Sequence, residues 1–325
     1  MDNKPSSAGA TLVTGAAGFV GRALVSAMKD RAVRRALRRS AAEVFPGDTI
    51  VGDISPVTEW GAALDGVECV VHLAARTHVL HEVATDPLAS YRQINVEATR
   101  HLAQQAATAG VRRFVFLSSI KVNGEATTDR PYTELDAPAP EDAYGISKRE
   151  GEDMLHDISA RSGMEVVILR PPLIYGTGVK GNVLRLLQWI DLGLPLPLAS
   201  VHNSRSMIHV GNLAEAITTC IDTPAAANRT FLVSDGTDLS TPELIHWLAA
   251  GMGRTAHLLP CPVGLLQLGA TLLGQSDAVA RLTGSLRVDS TLLRNTLGWR
   301  PRIQPDQGLI DTGRWYHQAR IQRRT

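Results

Sequence analysis

Tyr144 and Lys148 stand four residues apart in the segment YGISK, and a helix brings positions four apart onto one face. A free phenol titrates at about pH 10, too high to exchange protons well at neutral pH. A nearby ammonium favours the phenolate and lowers that value. Tyr144 is therefore expected to act as acid in carbonyl reduction or as base in alcohol oxidation. Ser119 closes the apolar run FVFLSS and is expected to hydrogen-bond the reacting oxygen. Tyrosine and lysine also pair by chance on helix surfaces, so the pair gains its weight from the serine-ended strand and from a loop near the start of the chain.

That loop lies in TLVTGAAGFVGRAL, residues 11–24, where Gly15, Gly18 and Gly21 are spaced three apart between an apolar run and a helix-like stretch. A strand that turns through glycines into a helix aims free backbone N–H groups and the helix dipole at one point, which suits a pyrophosphate. Gly15 is expected to make the tight turn, Gly18 to admit the phosphates to the backbone, and Gly21 to let the helix lie close to the sheet. Phe19 and Val20 complete the turn. The spacing is G-x-x-G-x-x-G rather than G-x-G-x-x-G, and three glycines can also serve a plain tight connection; the strand–helix context favours a dinucleotide. The positive ring of an oxidised nicotinamide would add to Lys148 in favouring the phenolate, and Lys148 can also hold the nicotinamide ribose.

The second strand ends in Arg38 and Arg39, with no acid until Glu43. NAD-preferring folds place an acid there for the ribose 2′-hydroxyl, whereas a guanidinium suits a 2′-phosphate. NADP(H) is thus favoured and NAD(H) is the alternative. Asp53, followed by Ile54, is expected beside the adenine amino group.

These groups need elements to position them. The runs ATLVTG, AVRRALRR (with Val33, Ala36 and Leu37 inside), DTIVGDIS, VECVVHLAAR, VRRFVFLSSI and MEVVILRPPLIYG read as strands, the last stopped by Pro171 and Pro172. Helical periodicity fills the intervals, with one helix closing at Gly110 and the Tyr144 helix at Gly163. Alternation at this pace predicts an α/β fold: a Rossmann doubly wound parallel sheet with a small C-terminal substrate-binding lobe. The expected division is 9–175 plus returning segments at about 205–235 for the dinucleotide domain, and 176–204 with 236–325 for the lobe.

The totals agree with such an enzyme. The 325 residues are 44% hydrophobic and 20% charged, far from disorder, and the net charge of +1 gives no field for nucleic acid. Cys69, Cys220 and Cys261 lack metal-ligand spacing and read as reduced thiols of a cytoplasmic protein. His209 reads as a packing residue, and no metal is expected. Residues 1–8 read as a loose tail without the apolar core of a secretory signal. The greasiest stretch, Val263 to Leu273, is too short to span a bilayer and reads as a short amphipathic or buried helix, so no stable membrane insertion is expected.

Beyond the residue-level reading, the chain resembles the extended short-chain dehydrogenases/reductases, in the NAD(P)-dependent sugar epimerase/dehydratase group. The resemblance runs through TGAAGFVG, VVHLAA, INVEATRHL, SSIKVNG, YGISK, RPPLIYG, RSMIHVGNLAEAI and LGWRP. It implies that the family serine is Ser119, with Ser118 beside it on the substrate side. It implies that Leu73, Ala74 and Ala75 face the cofactor and that Asn95 supports their strand. Dehydratases of this group carry an Asp-Glu pair where Ile120 and Lys121 stand here, so dehydration is not expected.

The resemblance also bears on the substrate. Leu173 replaces an asparagine that contacts the sugar in many members. Asn182, Arg205 and, through a looser alignment, Arg281 match groups that meet a nucleotide diphosphate. A UDP-sugar is the implied substrate, and a homodimer through the Tyr144 helix and the helix before it is implied as well. GVKGN and GLPLPLAS most resemble C4 reductases of UDP-4-keto-6-deoxy-N-acetylhexosamines that yield UDP-QuiNAc or UDP-FucNAc for surface polysaccharide. The alternative is a UDP-hexose 4-epimerase acting on UDP-glucose or UDP-GlcNAc. A more remote alternative is a non-catalytic dinucleotide sensor, which would lack the Tyr-Lys pair.

Overall fold

The computed structural model describes residues 9–39, 47–77, 86–272 and 274–322; the expected tail 1–8, Glu43 and Leu273 lie outside the described residues. The strands are β1 (Ala10–Thr14), β2 (Val33–Leu37), β3 (Thr49–Ile50), β4 (Val67–His72), β5 (Arg113–Leu117), β6 (Glu165–Arg170), β7 (Leu173–Tyr175), β8 (Met207–His209) and β9 (Arg229–Leu232). The helices are α1 (Phe19–Ala27), α2 (Gly61–Leu64), α3 (Pro87–Arg92), α4 (Thr99–Thr108), α5 (Ala143–Ser162), α6 (Gly181–Asp191), α7 (Val210–Asp222), α8 (Thr241–Gly251), α9 (Val263–Leu272), α10 (Ser276–Thr283), α11 (Thr291–Leu297) and α12 (Pro305–Gln322).

Seven strands form one parallel sheet in the order β3-β2-β1-β4-β5-β6-β9. The reversal of direction between β1 and β4 opens a crevice at the carboxyl ends of the strands. Both faces are covered, which is why the central strands read as near-continuous apolar runs. Successive strand residues alternate between two cores. Val13, Val71, Val115 and Val167 meet Leu24 of α1 and Leu213 and Ile217 of α7. Leu12, Val70, Phe114, Phe116 and Ile168 meet Leu64 of α2, Leu102 of α4 and Leu155 of α5. Each such fully buried side chain contributes about 1.5–3 kcal/mol, so the sheet is the rigid part from which the site hangs.

Local chemistry explains the departures from the expected elements. The third strand shrinks to Thr49–Ile50, because Gly52 at φ +73° turns the chain away. The expected helix that closes at Gly110 is interrupted by a π-helical segment, Gln93–Ala98, between α3 and α4. β6 stops at Arg170 before two prolines that have no N–H to donate. The chain then forms β7, which pairs with β8 in a separate two-stranded sheet. A further core under the crevice joins Leu186, Leu187 and Ile190 of α6 to Ile245 and Leu248 of α8 and Leu309 of α12. Helix α9 is apolar on two sides: Val263 and Leu266 pack on this core and Ala270 is buried, while Leu265, Leu268 and Leu272 are exposed.

Candidate active site

A cavity of about 1050 Å³ occupies the crevice. One wall is the glycine loop. Gly15 has φ +67°, and a Cβ there would meet the Ala74 nitrogen at 2.8 Å, so the turn crosses directly over the end of β4. The Gly18 N–H donates to the Gly15 carbonyl at 2.8 Å and Gly18 caps α1 in an extended conformation. A Cβ on Gly21 would lie 2.2 Å from the Gly15 oxygen and 2.6 Å from the Ala16 Cα. Gly21 therefore serves the close return of the loop onto its own helix more than a helix–sheet contact. Phe19 and Val20 line the same wall.

A buried histidine that the sequence reading did not single out braces this loop. His72 Nδ1 bonds the Thr14 hydroxyl at 2.8 Å and its Nε2 bonds Thr99 at 3.0 Å, while the Ala74 N–H donates to Thr14 Oγ1. Burial, with Lys148 nearby, pulls its pKa down to about 3, so it is a neutral strut between β1, β4 and α4. Leu73, Ala74 and Ala75 line the cavity. Asn95 does not. It sits in the π-helical segment, 1% exposed, where its Oδ1 accepts from the Arg76 N–H at 2.9 Å and its amide donates to the Arg76 carbonyl and to the Ser147 hydroxyl. It thus fastens the 73–76 segment to α5 from behind.

Arg38, Asp53 and Ile54 line the far end of the cavity; Arg39 is exposed and is not part of its lining. The Arg38 Nε lies 2.5 Å from Asp53 Oδ1, with both side chains 77% exposed. The two expected ligands of the adenosine end are thus each other's partner. An ion pair so wet is worth about 0–1 kcal/mol, little enough for a bound nucleotide to replace.

At the other end, Ser119, Tyr144 and Lys148 share the wall. Helix α5 starts at Asp142, whose carboxylate accepts from the Gly145 N–H at 2.7 Å and also pairs with Lys121 Nζ at 2.6 Å. This clasp fixes the first turn, which carries Tyr144. The Ser119 hydroxyl hydrogen-bonds the Tyr144 phenol, and the Tyr91 ring meets the Tyr144 ring edge-on at 6.1 Å. Lys148 Nζ donates to the Leu117 carbonyl at 2.8 Å, sits 4.4 Å over the Phe116 ring and lies 6.0 Å from the Tyr144 ring.

The electrostatics correct one expectation. Burial, helped by Asp142 and Tyr91, pushes the Tyr144 phenol above its ordinary range, and the Ser119 hydrogen bond only partly opposes this. Burial also pulls Lys148 down to about 7, against the attraction of Glu152. Desolvation is the largest influence on each, and both groups are driven toward neutrality.

Ser118 lines the cavity, yet its hydroxyl points away, donating to Glu152 Oε1 at 2.5 Å. Glu152 also takes Arg170 Nε at 2.9 Å and Nη2 at 2.5 Å, and Arg170 Nη1 reaches Asn123 Oδ1 at 3.0 Å. Sequence reasoning missed this network, although Glu152 falls four residues after Lys148 on the same helix.

Asn182, Arg205 and Arg281 line the remaining wall. Asn182 is on the first turn of α6. Arg205 Nη1 donates to the carbonyls of Arg281 and Gly284 at the end of α10, so the segment leading into β8 and the helix bearing Arg281 are tied together. Leu173 also faces the cavity and brings no hydrogen-bonding group. His209 caps α7 through its Nδ1, which accepts from the Gly211 N–H, and packs edge-on against Tyr175. Among the described residues no helix is long and apolar enough to cross a membrane.

The NAD dependent epimerase/dehydratase family matches residues 11–234. A UDP-glucose 4-epimerase of Vibrio cholerae is 43% identical over 317 residues, 95% of each chain. An N-acetyl-alpha-D-glucosaminyl-diphospho-ditrans,octacis-undecaprenol 4-epimerase of Escherichia coli O157:H7 is 29% identical over 276 residues, covering 84% of this chain and 80% of that one. Among solved structures, MoeE5 in complex with UDP-glucose and NAD is similar with a TM-score of 0.77 at 25% identity, over 96% of this chain and 99% of that one.

Proposed function

Since this chain belongs to the NAD-dependent epimerase/dehydratase family and is an enzyme of the extended short-chain dehydrogenase/reductase type, we propose that it inverts the C4 hydroxyl of a UDP-hexose, with NAD as its resident cofactor. The observation that carries the reading is the Ser119–Tyr144–Lys148 cluster on the wall of the same cavity as the glycine loop. The 43% identity to a UDP-glucose 4-epimerase supports inversion over the C4 reduction that the substrate-side motifs favoured.

The glycine loop fits a dinucleotide. A side chain at Gly15 or Gly21 would collide with backbone, and the open N-terminus of α1 faces the cavity between them. Gly15, Gly18, Phe19, Val20 and Gly21 would hold the pyrophosphate, Asp53 and Ile54 the adenine, and Leu73 to Ala75 with Lys148 the nicotinamide half. Bound there, the nicotinamide supplies reversible two-electron oxidation of an alcohol.

The chain's own groups handle the proton. Tyr144 as phenolate takes it from the C4 hydroxyl and as phenol returns it after the sugar has turned, so one side chain serves as base and then as acid. Ser119 holds the same oxygen in both states. Lys148, brought to about 7 by burial, can hold or release its charge near neutral pH. Arg205, Arg281 and Asn182 would retain the diphosphate while the hexose rotates.

The test is proton NMR of the purified protein with UDP-glucose or UDP-N-acetylglucosamine and no added reductant. Epimerised sugar is expected. Tyr144→Phe should keep the fold and dinucleotide binding while turnover falls about 10²–10⁴-fold. Absence of inversion, together with NADPH consumption on a UDP-4-keto-6-deoxy-sugar, would establish the reductase instead.

A further inference from the structure

We propose that the face formed by α9 and the 192–194 loop docks on an anionic lipid surface, with the rim of the active-site cavity at its border. Helix α9, VGLLQLGATL, contains no charged residue. Val263, Leu266 and Ala270, at positions i, i+3 and i+7, seat it on the protein. Leu265, Leu268 and Leu272 repeat the same spacing on the other side and are 61%, 59% and 80% exposed. A helix that needed only a core would be polar on that stripe.

The patch extends beyond the helix. The Leu196 N–H donates to the His257 carbonyl, and Leu259 and Ala199 continue the pairing. This pairs the segment that follows the exposed Leu192 and Leu194 with the segment that carries the exposed Leu259, four residues before α9 begins. Single exposed leucines are ordinary; six gathered on α9 and the two paired segments that lead into it are not.

Charge selects the occupant. Residues 244–276 contain no aspartate or glutamate, and the next acid in the chain is Asp277. Residues 178–200 contain one acid, Asp191, whose side chain is 3% exposed and paired with Arg254 at 2.8 Å. Lys180, Arg185 and Arg281 are exposed at the cavity rim, and Trp189 lies one turn after Arg185 on α6. A second copy meeting this face about a two-fold axis would oppose cation to cation. A bilayer with anionic headgroups answers both the apolar stripe and the basic border, as interfacial helices do. The docking is peripheral, since α9 has only 10 residues.

The experiment is co-sedimentation of the full chain with vesicles of equal parts phosphatidylglycerol and phosphatidylcholine, and with phosphatidylcholine alone. Binding to the anionic vesicles is expected, weakening as salt is raised. The triple variant Leu265→Ser, Leu268→Ser, Leu272→Ser should bind about tenfold or more weakly, with its melting curve and its turnover of a soluble UDP-sugar unchanged. Wild-type protein that stays in the supernatant, or a variant that binds as well as wild type, overturns the proposal. So does a variant whose sedimentation coefficient drops without lipid, which would assign the face to a second copy. The readout is partition, so it fails or stands independently of which sugar the active site accepts.

Discussion

Replacing Glu152 by glutamine tests whether a buried ion pair holds the catalytic wall in place. The side chains of Glu152 and Arg170 are 1% and 5% exposed, with Nη2 2.5 Å from Oε2. Oε1 of Glu152 takes two further hydrogen bonds, from Arg170 Nε and Ser118 Oγ. Glu152→Gln leaves the guanidinium buried against an amide that offers one acceptor atom in place of two. Removing one partner of such a pair costs about 3–5 kcal/mol, and retention of that acceptor puts the expected loss near the lower end, about 3 kcal/mol. At about 2–4 °C per kcal/mol for chains approaching this size, the melting midpoint should fall by roughly 6–12 °C. Thermal unfolding followed by circular dichroism at neutral pH, without ligand, measures it. The double variant Glu152→Leu, Arg170→Met removes both charges and should recover most of the loss, because the desolvation cost disappears with the attraction. Turnover should fall in the single variant beyond what unfolding explains, since Ser118 and Asn123 bracket Ser119 and both are tied to this pair. A single variant within about 0.5 kcal/mol of wild type would refute the reasoning, because that is the range of surface substitutions.

Gly21→Ala places a methyl 2.2 Å from the Gly15 oxygen, where only backbone movement can relieve it; calorimetry should show dinucleotide binding lost, with stability lower by about 1–3 kcal/mol. Burial lowers the folded Lys148 pKa to about 7, whereas an unfolded lysine titrates at about 10.4, so between those values the unfolded chain binds more protons and stability rises with pH. Urea unfolding of wild type should therefore gain on Lys148→Met between about pH 7 and 10, and parallel curves would remove burial as the cause. Burial pushes the thiols of Cys69 and Cys220 up to about 12, while Cys261 is half-buried. A disulfide reagent should accordingly modify one thiol in the native protein and all three in denaturant.

Much of the fold was legible because its strands are buried on both faces and each is followed by a patterned helix. Burial on both sides makes FVFL and VVIL continuous apolar runs, and Gly163 in the left-handed conformation closes α5 where the pattern predicts. The misses have physical causes. Nothing in QINVEA distinguishes π from α winding; the wider turn shows only in the tertiary bonds of Asn95 to Arg76 and Ser147. The expected strand AVRRALRR does form as β2, with Arg34 reaching the Asp65 carbonyl at 2.6 Å and Arg35 pairing with Asp48.

The site was legible in its residue types and illegible in its balances. Spacing puts Tyr144 and Lys148 on one face of a helix, but how far each is removed from water depends on Phe116, Tyr91 and the end of β5, which converge from distant parts of the chain. The attraction between the two side chains is what the sequence shows, and desolvation is what dominates at each in the fold. The same lesson governs the cofactor's adenosine end. Arg38 read alone is a binder of phosphate. The parallel register that sets Leu37 beside Ile50 carries Arg38 and Asp53 out of the sheet together, and they meet at its edge. A 2′-phosphate would have to displace a carboxylate to reach that guanidinium, whereas a ribose hydroxyl would find an acceptor in Asp53 and a donor in Arg38 already side by side. The pair is too exposed to resist either exchange strongly. The choice of dinucleotide therefore depends on the hydrogen-bonding capacity of the pair as a unit and not on the arginine alone.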